Sequence, residues 1–349
     1  MIKIILPLAF LLSACGKPIE EKLEQRYESA LLPGVAEEAL LGMKVYKNFN
    51  LLPLTGRVQH QNKFWSGNSW PLIKGAINYR WNSPGKETIG YLSPSRREVF
   101  SMPTERLKIL SPSEKYDLYM GRYDYPLKYD VEWIARQGTM DWEGLCHGWA
   151  GASLNHAEPT PRVMVNPDGL KIPFGSSDIK ALLSYAYSRV IIKDEEMLGK
   201  RCEREINDRD ENCDNDLTAL SFHALLANRL GLRGKSFIAD LDRYKEVWNH
   251  PIIAYEAKVI RMDSKGSGKV GIIRTTFEYL DVIEKNSWDL AVPSSLSSKM
   301  TVEYELTLDH EGNITDSKWL TRERPDFLWV IPQVEEFDGY MKNVRDLIK

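Results

Sequence analysis

The sequence predicts an α+β fold in which a largely helical region is followed by an antiparallel sheet. Helical patterns dominate residues 130–231, and runs rich in β-branched and aromatic residues follow over residues 236–335. Helices that precede a block of strands, rather than alternating with them, are typical of this fold class. We therefore expect one domain over residues 46–349, which is long enough to bury a full core.

Three segments have both the periodicity and the end signals of helices. GLCHGWAGASLNHA begins a helix near Cys146, and SSDIKALLSYAYSRVII begins a second one that Ser176 or Ser177 caps. DLTALSFHALLANRLG opens a third helix at Asp216, and this helix stops at Gly231 because glycine commonly ends helices. These segments account for the helical half of the predicted domain.

Strand patterns begin after SFIADLD. They continue through HPIIAYEAKVIRM, KVGIIRTTFEYLDV and MTVEYELTLDHEGNITDSKWL. The glycine-containing SKGSGK fits a hairpin loop between two of these strands, and HEGN fits another turn. Short connections of this kind predict antiparallel neighbours.

The N-terminus has the features of a lipoprotein signal peptide over residues 1–14. One cation precedes an apolar run that is too short to cross a bilayer as a permanent helix. LSAC matches the bacterial lipobox, so we expect Cys15 to carry the lipid and to anchor an exported protein. Gly16 follows it in place of the aspartate that retains lipoproteins in the inner membrane, which favours the outer membrane. Residues 15–45 then predict a tether and a docking helix.

The overall charge excludes one class of partner. The chain has a formal net charge of −3 and a pI near 6.2, and 43% of its residues are apolar. A protein of this kind gives no reason to expect nucleic acid as a ligand.

The four cysteines divide by context. Cys202 and Cys213 lie in the polar stretch RCEREINDRDENC, where export predicts a disulfide. Its loop of about a dozen residues would contribute roughly 2–3 kcal/mol. Because Cys15 is assigned to the lipid, Cys146 remains unpaired and requires an explanation.

Cys146 has the surroundings of a nucleophile. It begins a predicted helix, where the helix dipole favours a thiolate. Small residues and Trp149 follow it in CHGWAGAS, so the helix can pack closely against a sheet that presents a base. This arrangement is that of papain-like and transglutaminase-like enzymes, and a buried structural cysteine is the alternative.

A cysteine nucleophile needs a base and a group that orients it. His223, on the apolar helix, and His250, which precedes a proline at the start of a strand, are the two candidates. Asp240 and Asn249 are candidates for the orienting group, with Asp242 behind them. The residues alone do not separate these alternatives.

Several segments together resemble the transglutaminase elicitor family of oomycete cell-wall transglutaminases and bacterial lipoproteins. EVWNHPIIAYE is similar to the surface segment of the oomycete elicitors, whose recognised peptide begins Val-Trp-Asn-Gln-Pro. The similarity extends to WEGLCHGWA, SDIKALLSYAY, SFHALLANRLG and SFIADLD in the same order. FWSGNSWPLIKGAINYRW and LSPSEKYDLYMG look like the bacterial members, so the resemblance covers residues 60–330.

The resemblance implies acyl transfer from a glutamine carboxamide to a primary amine through a thioester on Cys146. The elicitors carry Gln at the position of His250, so the resemblance assigns the base to His223. Asp240 is then the preferred orienting residue and Asn249 its rival.

The resemblance also implies residues around the site and a metal. Trp248 and Asn249 would line or shield the site, and Trp149 lies beside the nucleophile. The resemblance implies assistance by Ca²⁺, although NDRDENCDND matches no calcium motif. The expected partners are a protein or peptide acyl donor and an amine acceptor, including cell-wall material.

Two other functions fit the same residues. A papain-like cysteine peptidase or amidase would use water as the acceptor for peptide or cell-wall cross-links. A lipid-anchored binding protein with an inert thiol would carry out no reaction at all.

Overall fold

The computed structural model describes most of the chain beyond the N-terminus. The described residues are 44–59, 64–81, 89–190, 197–201, 217–283, 287–289, 296–331, 334 and 336–349. The predicted signal peptide, the lipidation site Cys15, most of the tether, and the predicted disulfide between Cys202 and Cys213 lie outside these residues. No helix in the described ranges is long and apolar enough to cross a membrane.

Helices occupy mainly the first half of the described chain. The α-helices are α1 (Arg96–Ser101), α2 (Thr104–Lys108), α3 (Pro112–Tyr119), α4 (Pro126–Ala135), α5 (Cys146–Asn155), α6 (Ser176–Ser188) and α7 (Ala219–Leu225). A π-helical segment, Leu226–Gly231, continues α7, and short 3-10 helices lie at Leu72–Lys74, Ala76–Asn78 and Gly339–Leu347.

The strands form one large antiparallel sheet and a small hairpin. They are β1 (Thr55–Arg57), β2 (Arg162–Val165), β3 (Lys171–Phe174), β4 (Met197–Gly199), β5 (Phe237–Asp240), β6 (Asn249–Lys265), β7 (Gly268–Leu280), β8 (Ser297–Leu308), β9 (Ile314–Trp319) and β10 (Phe327–Trp329). In the described chain, eight of them form a sheet in the order β4-β10-β5-β6-β7-β8-β9, with β1 paired to β6. The α+β class predicted from the sequence is therefore confirmed.

Two of the predicted helix starts are wrong by one to three residues. The N-cap of α6 is Gly175, whose N–H donates to the Asp178 carboxylate at 2.8 Å, so neither Ser176 nor Ser177 caps this helix. The N-cap of α7 is Thr218 rather than Asp216, because the Thr218 hydroxyl accepts the N–H of Ser221 at 3.1 Å. In both cases the chain offers several capping side chains, and tertiary packing decides between them.

A close contact between α5 and α6 fixes the position of the helix that begins at Cys146. A Cβ atom added to Gly148 would lie 2.0 Å from the carbonyl oxygen of Ser184 and 2.8 Å from the nitrogen of Ser188. Only glycine allows the two helix backbones to approach this closely. At the start of α5, the N–H of Leu145 donates to the carbonyl oxygen of Ser69 at 2.6 Å, which ties the helix to the preceding loop.

Replacement of Gly148 by alanine tests this contact. We expect Gly148→Ala to lower the free energy of unfolding by about 1–3 kcal/mol, because the added methyl group meets backbone atoms that cannot move independently. The measurement is chemical denaturation followed by circular dichroism.

Gly151→Ala on the same helix is the matched control. Its methyl group would meet the side-chain atoms Ile331 Cδ1 at 2.5 Å and Tyr187 Cδ1 at 3.0 Å, which can shift. We expect a smaller loss for Gly151→Ala, since alanine also favours the helical state. An equal or smaller loss for Gly148→Ala would contradict the close-contact interpretation.

Candidate active site

Cys146 is the first residue of α5 and lies at a small cavity. Its side chain is buried, with 4% of its surface exposed. The cavity has a volume of about 270 Å³ and is lined by Leu72, Gln137, Trp142, Glu143, Gly144, Cys146, His147 and Val247. This volume lies just below the range of roughly 300–1,000 Å³ that small-molecule sites occupy. It suits a single slender side chain.

The sulfur of Cys146 is held by the chain that leads into β6. Sγ donates to the carbonyl oxygen of Val247 at 3.6 Å, and it accepts a hydrogen bond from Nδ2 of Asn249 at 3.7 Å. The backbone N–H groups of Asn249 and His147 also point to the sulfur. The same few residues therefore provide an acceptor for the thiol proton and several donors for a thiolate.

Opposing influences act on the ionisation of Cys146. Burial raises the pKa of the thiol, whereas the hydrogen bonds from Asn249 and His147 lower its pKa. The negative charge of Asp240 raises the pKa further, and burial has the largest effect. The resting thiol is therefore protonated at neutral pH, and a proton acceptor is needed to activate it.

Asp240 and Asn249 are brought together by the pairing of two strands. They are directly opposite each other in the β5–β6 ladder, at the end of the sheet that faces Cys146. Oδ1 of Asp240 accepts the N–H groups of Trp248 at 2.7 Å and Asp242 at 3.2 Å, which closes the connection between the two strands. Within the described chain, Oδ2 of Asp240 is buried without a hydrogen-bond partner.

Burial raises the pKa of Asp240 to about 8, although the hydrogen bonds from Trp248 and Asp242 lower it. The charge of Asp242 raises this pKa as well, and that of Arg201 lowers it. A carboxyl group that titrates near pH 8 and interacts electrostatically with Cys146 can exchange a proton at physiological pH.

The cavity also carries a negative charge. Hydrogen bonds from the backbone N–H groups of Thr139 and Met140 hold the pKa of Glu143 below its usual value, so its carboxylate is ionised at neutral pH. The guanidinium of Arg201 lies 5.2 Å from the centre of the Trp142 ring. The cavity wall therefore combines an aromatic ring with an anionic group, and the positive charge of Arg201 acts on both of them.

In the structure, the hydrogen-bond and ring contacts of His223 are with residues other than Cys146. Its Nδ1 is hydrogen-bonded to the hydroxyl of Tyr304 at 2.7 Å, and its ring stacks on Phe49 with the centroids 5.4 Å apart. The other ring nitrogen, Nε2, is buried with no partner among the described residues. Burial lowers the pKa of His223 to about 4. The role of His223 as the base stays a prediction. The hydrogen bonds of its ring and of the Cys146 sulfur do not join the two side chains.

The other histidines of this region have partners of their own. Nδ1 of His250 donates to the carbonyl oxygen of Leu280 at 2.7 Å, and its ring packs edge-on against Tyr279. His147 is adjacent to Cys146, and its side chain bonds to the backbone of Ser188 on α6. In the described chain, no imidazole is hydrogen-bonded to the sulfur of Cys146.

The predicted site-lining residues occupy three different positions. Asn249 contacts the sulfur directly. Trp248 is half-buried and donates from its indole nitrogen to Glu246 at 2.8 Å. Trp149 is fully buried in the core, and its indole nitrogen donates to the carbonyl oxygen of Trp65 at 3.3 Å.

Two contacts of the site were not foreseen in the sequence. One is the carbonyl oxygen of Val247, which any residue type could supply. The other is Trp329 on β10, whose indole N–H donates to Oδ1 of Asn249 at 2.7 Å. Trp329 lies 80 residues from Asn249, so no local motif connects them.

The residues around the site do not form a metal-binding group. Within the ranges that the structure describes, no cluster of three or more His, Cys, Asp or Glu side chains could hold a metal ion. The acidic segment NDRDENCDND lies outside these ranges. Calcium assistance stays an expectation of the resemblance.

Two comparisons relate the chain to known proteins. The family model "Transglutaminase elicitor" matches residues 129–271, which confirms the resemblance over the range that includes Cys146, Asp240 and Asn249. The crystal structure of the GP42 transglutaminase from Phytophthora sojae is similar in fold, with a TM-score of 0.65. The match covers 91% of this chain and 98% of GP42 at 19% sequence identity, and it establishes the fold. No protein with a curated description matches the sequence.

The burial of His223 predicts a pH-dependent contribution to stability. Its pKa falls from an ordinary 6.5 to about 4 in the folded protein, so the unfolded chain binds a proton first as the pH decreases. The contribution is fully present above pH 6.5 and is lost towards pH 4, by about 3 kcal/mol in total. We expect the stability advantage of the wild type over His223→Asn to shrink by this amount between pH 7 and pH 4, as measured by urea denaturation.

This comparison has an internal control. Burial raises the pKa of Asp117 to about 7, and burial also raises that of Asp240, so these groups change stability in the opposite direction. They do so in both proteins and cancel in the difference. A difference that stays constant with pH would show that His223 keeps an ordinary pKa.

The charge of Asp240 predicts a second effect, on the thiol. Above pH 8 the ionised carboxylate opposes the thiolate of Cys146, and Asp240→Asn removes this opposition. We expect the variant to be alkylated at Cys146 about three- to tenfold faster at pH 9, the effect of up to one pKa unit. Iodoacetamide labelling, quantified by mass spectrometry on the peptide that contains Cys146, measures the rate. Equal rates at every pH would exclude an interaction between the two groups.

Proposed function

We propose that this protein is a cysteine acyltransferase of the transglutaminase kind. The observation that supports it is the thiol at the first turn of α5, which has hydrogen-bond donors from Asn249 and His147 and interacts electrostatically with the carboxyl group of Asp240, whose pKa is raised. The match to the transglutaminase elicitor family and the fold shared with GP42 agree with this chemistry.

The proposed reaction has two stages. Cys146 Sγ attacks the carbonyl carbon of a glutamine side chain, a C–S bond forms, the C–N bond breaks, and ammonia leaves. A primary amine then attacks the thioester, which yields an isopeptide-type amide and returns the thiol. Backbone N–H groups at the start of α5 are suited to hold the oxyanion of each tetrahedral intermediate.

Asp240 is our candidate for proton transfer. It interacts electrostatically with the thiol, and its pKa of about 8 leaves a fraction of the carboxyl group ionised near neutral pH. This ionised fraction can accept the thiol proton and pass it to the departing ammonia. The hydrogen bonds from Trp248 and Asp242 hold one carboxylate oxygen and leave Oδ2 for the proton.

The cavity favours an amine over water as the acyl acceptor. Its wall includes the carboxylate of Glu143, which attracts an ammonium group, and the ring of Trp142, which already has the guanidinium of Arg201 over it. The charge of Arg201 offsets part of the charge of Glu143, and the remainder favours a cationic acceptor. The acceptor would therefore be a primary amine on an aliphatic stem, such as a lysine side chain. An amidase would gain nothing from this charge.

The burial of Cys146 favours a second candidate function. A thiol that is 4% exposed and donates to the carbonyl oxygen of Val247 is also suited to a binding protein that shares the fold but catalyses no reaction. Under this alternative, Cys146 is a packed core residue, and its replacement by serine would affect stability alone.

A transamidation assay separates these functions. Full-length protein is incubated with a glutamine-containing donor protein and a dansylated primary amine, and both amine incorporation and ammonia release are measured. We expect both in the wild type, and less than about one-hundredth of either in Cys146→Ser, because removal of the nucleophile removes the covalent route. Ammonia release without amine incorporation would indicate an amidase. The absence of both products would support the binding protein.

Two further variants in the same assay identify the proton-transfer group. We expect Asp240→Asn to lower kcat about a hundredfold, the usual contribution of a general acid–base, while leaving the thiol available for alkylation. His223→Asn is the matched control, and we expect its kcat to stay within about threefold of the wild type at a temperature where both are folded. The opposite pattern would assign proton transfer to His223.

A further inference from the structure

Trp329 is connected to the thiol through one intervening side chain. It lies on β10, is 2% exposed, and is paired with Ile238 on β5 and Met197 on β4. Its indole Nε1–H donates to Oδ1 of Asn249 at 2.7 Å, and Nδ2 of the same carboxamide donates to Cys146 Sγ at 3.7 Å. The three side chains thus form a continuous line of hydrogen bonds.

The chemistry of the indole sets the direction of this line. An indole nitrogen is only a donor, whereas a carboxamide has a donor at one end and an acceptor at the other. The acceptor end of Asn249 must therefore face Trp329, and its donor end must face Cys146. An amide without the indole could turn by 180° and present its oxygen to the sulfur, where it would repel a thiolate.

We propose that Trp329 is a positioning residue, which holds the carboxamide of Asn249 with its nitrogen towards Cys146 so that the thiolate meets a donor. Trp329 is not among the residues that line the cavity, so it acts on the reaction through Asn249. The effect of Trp329 on turnover rests on the acyltransferase function proposed above. Its effect on the thiol itself is independent of that function.

The position of Trp329 in the sheet makes it suitable for this role. Strand β10 is hydrogen-bonded on both sides, and Phe327, Leu328 and Trp329 are all buried. The indole is therefore held by a strand in the interior of the sheet, and its nitrogen has little freedom to leave Asn249. A side chain placed in this way is rigid enough to select one of the two orientations of an amide.

The test compares the pH dependence of alkylation at Cys146 in the wild type and in Trp329→Phe. Phenylalanine retains an aromatic ring in the core but lacks the N–H. We expect the alkylation profile of Trp329→Phe to move to higher pH and the rate at pH 8 to fall about three- to tenfold, the effect of up to one pKa unit.

Two more variants complete a cycle. Asn249→Ala removes the donor itself and should shift the profile in the same direction. The double variant Trp329→Phe/Asn249→Ala should shift no further than Asn249→Ala alone, because Trp329 then has nothing to orient. Additive shifts would show that Trp329 acts on the thiol by some other route and would overturn the proposal.

Trp319→Phe is the control for a merely structural effect. Trp319 on β9 also donates its indole N–H, to the carbonyl oxygen of Leu217 at 2.6 Å, and it packs against Phe222 and Tyr304 rather than against Asn249. Both tryptophan variants should lower the melting temperature, but only Trp329→Phe should move the alkylation profile. A lower melting temperature with an unchanged profile for Trp329→Phe would overturn the proposal.

The failure of the positioning role can be distinguished from the failure of the acyltransferase function. A shifted alkylation profile in Trp329→Phe supports the positioning role even if the wild type incorporates no amine. If the wild type does incorporate amine, kcat of Trp329→Phe at pH 8 should fall by the same three- to tenfold, with KM for the amine unchanged. Active wild type with an unchanged profile and unchanged kcat in Trp329→Phe refutes the role and leaves the acyltransferase function intact.

Discussion

The contact between α5 and α6 at Gly148 is the constraint on which the site depends. It brings two helix backbones together at a distance that excludes any side chain, and it thereby fixes how far α5 reaches towards the sheet. Cys146 lies less than one turn from this contact, at the end of α5 that meets the β5–β6 connection. A shift of α5 along its axis would move the sulfur away from Val247 and Asn249 together.

The carboxylate of Asp240 joins the two ends of the β5–β6 connection. Asp240 ends one strand, Asn249 begins the next, and the N–H groups that Asp240 accepts hold the turn between them. The same residue therefore shapes the turn that surrounds the thiol and supplies the charge that acts on it. Most substitutions of Asp240 would remove both its structural role and its charge. Asparagine is the replacement that best retains the structural role, because its side-chain oxygen can still accept the N–H groups of the turn.

Those features of the fold that follow from local patterns were predictable from the sequence. Cys146 was correctly placed at the start of a helix, because the small residues of CHGWAGAS mark a helix that packs closely. The long strands β6, β7 and β8 were equally clear from their composition and their turns. The N-cap of α6 could not be predicted in this way, because the two serines after Gly175 have higher intrinsic preferences for the N-cap position. The hydrogen bond from the N–H of Gly175 to Asp178 makes Gly175 the N-cap.

The arrangement of the site could be predicted less well, for a physical reason. A sequence pattern shows that His223 lies on a buried helix, but it does not show with which strands that helix packs. In the structure the helix contacts β8 and β9, and the hydroxyl of Tyr304 on β8 is hydrogen-bonded to the imidazole of His223. Trp329 gave no signal at all, because its relation to Asn249 arises from the strand order β10-β5-β6.

The hydrogen bond from Cys146 to the carbonyl oxygen of Val247 has a consequence for the chemical lifetime of the protein. Oxidants attack the thiolate rather than the thiol, and the first product, a sulfenic acid, leads on to irreversible damage. A sulfur that is buried and whose proton is held by a backbone oxygen presents little thiolate at neutral pH. The carbonyl oxygen of Val247 thereby helps to keep the sulfur of Cys146 reduced.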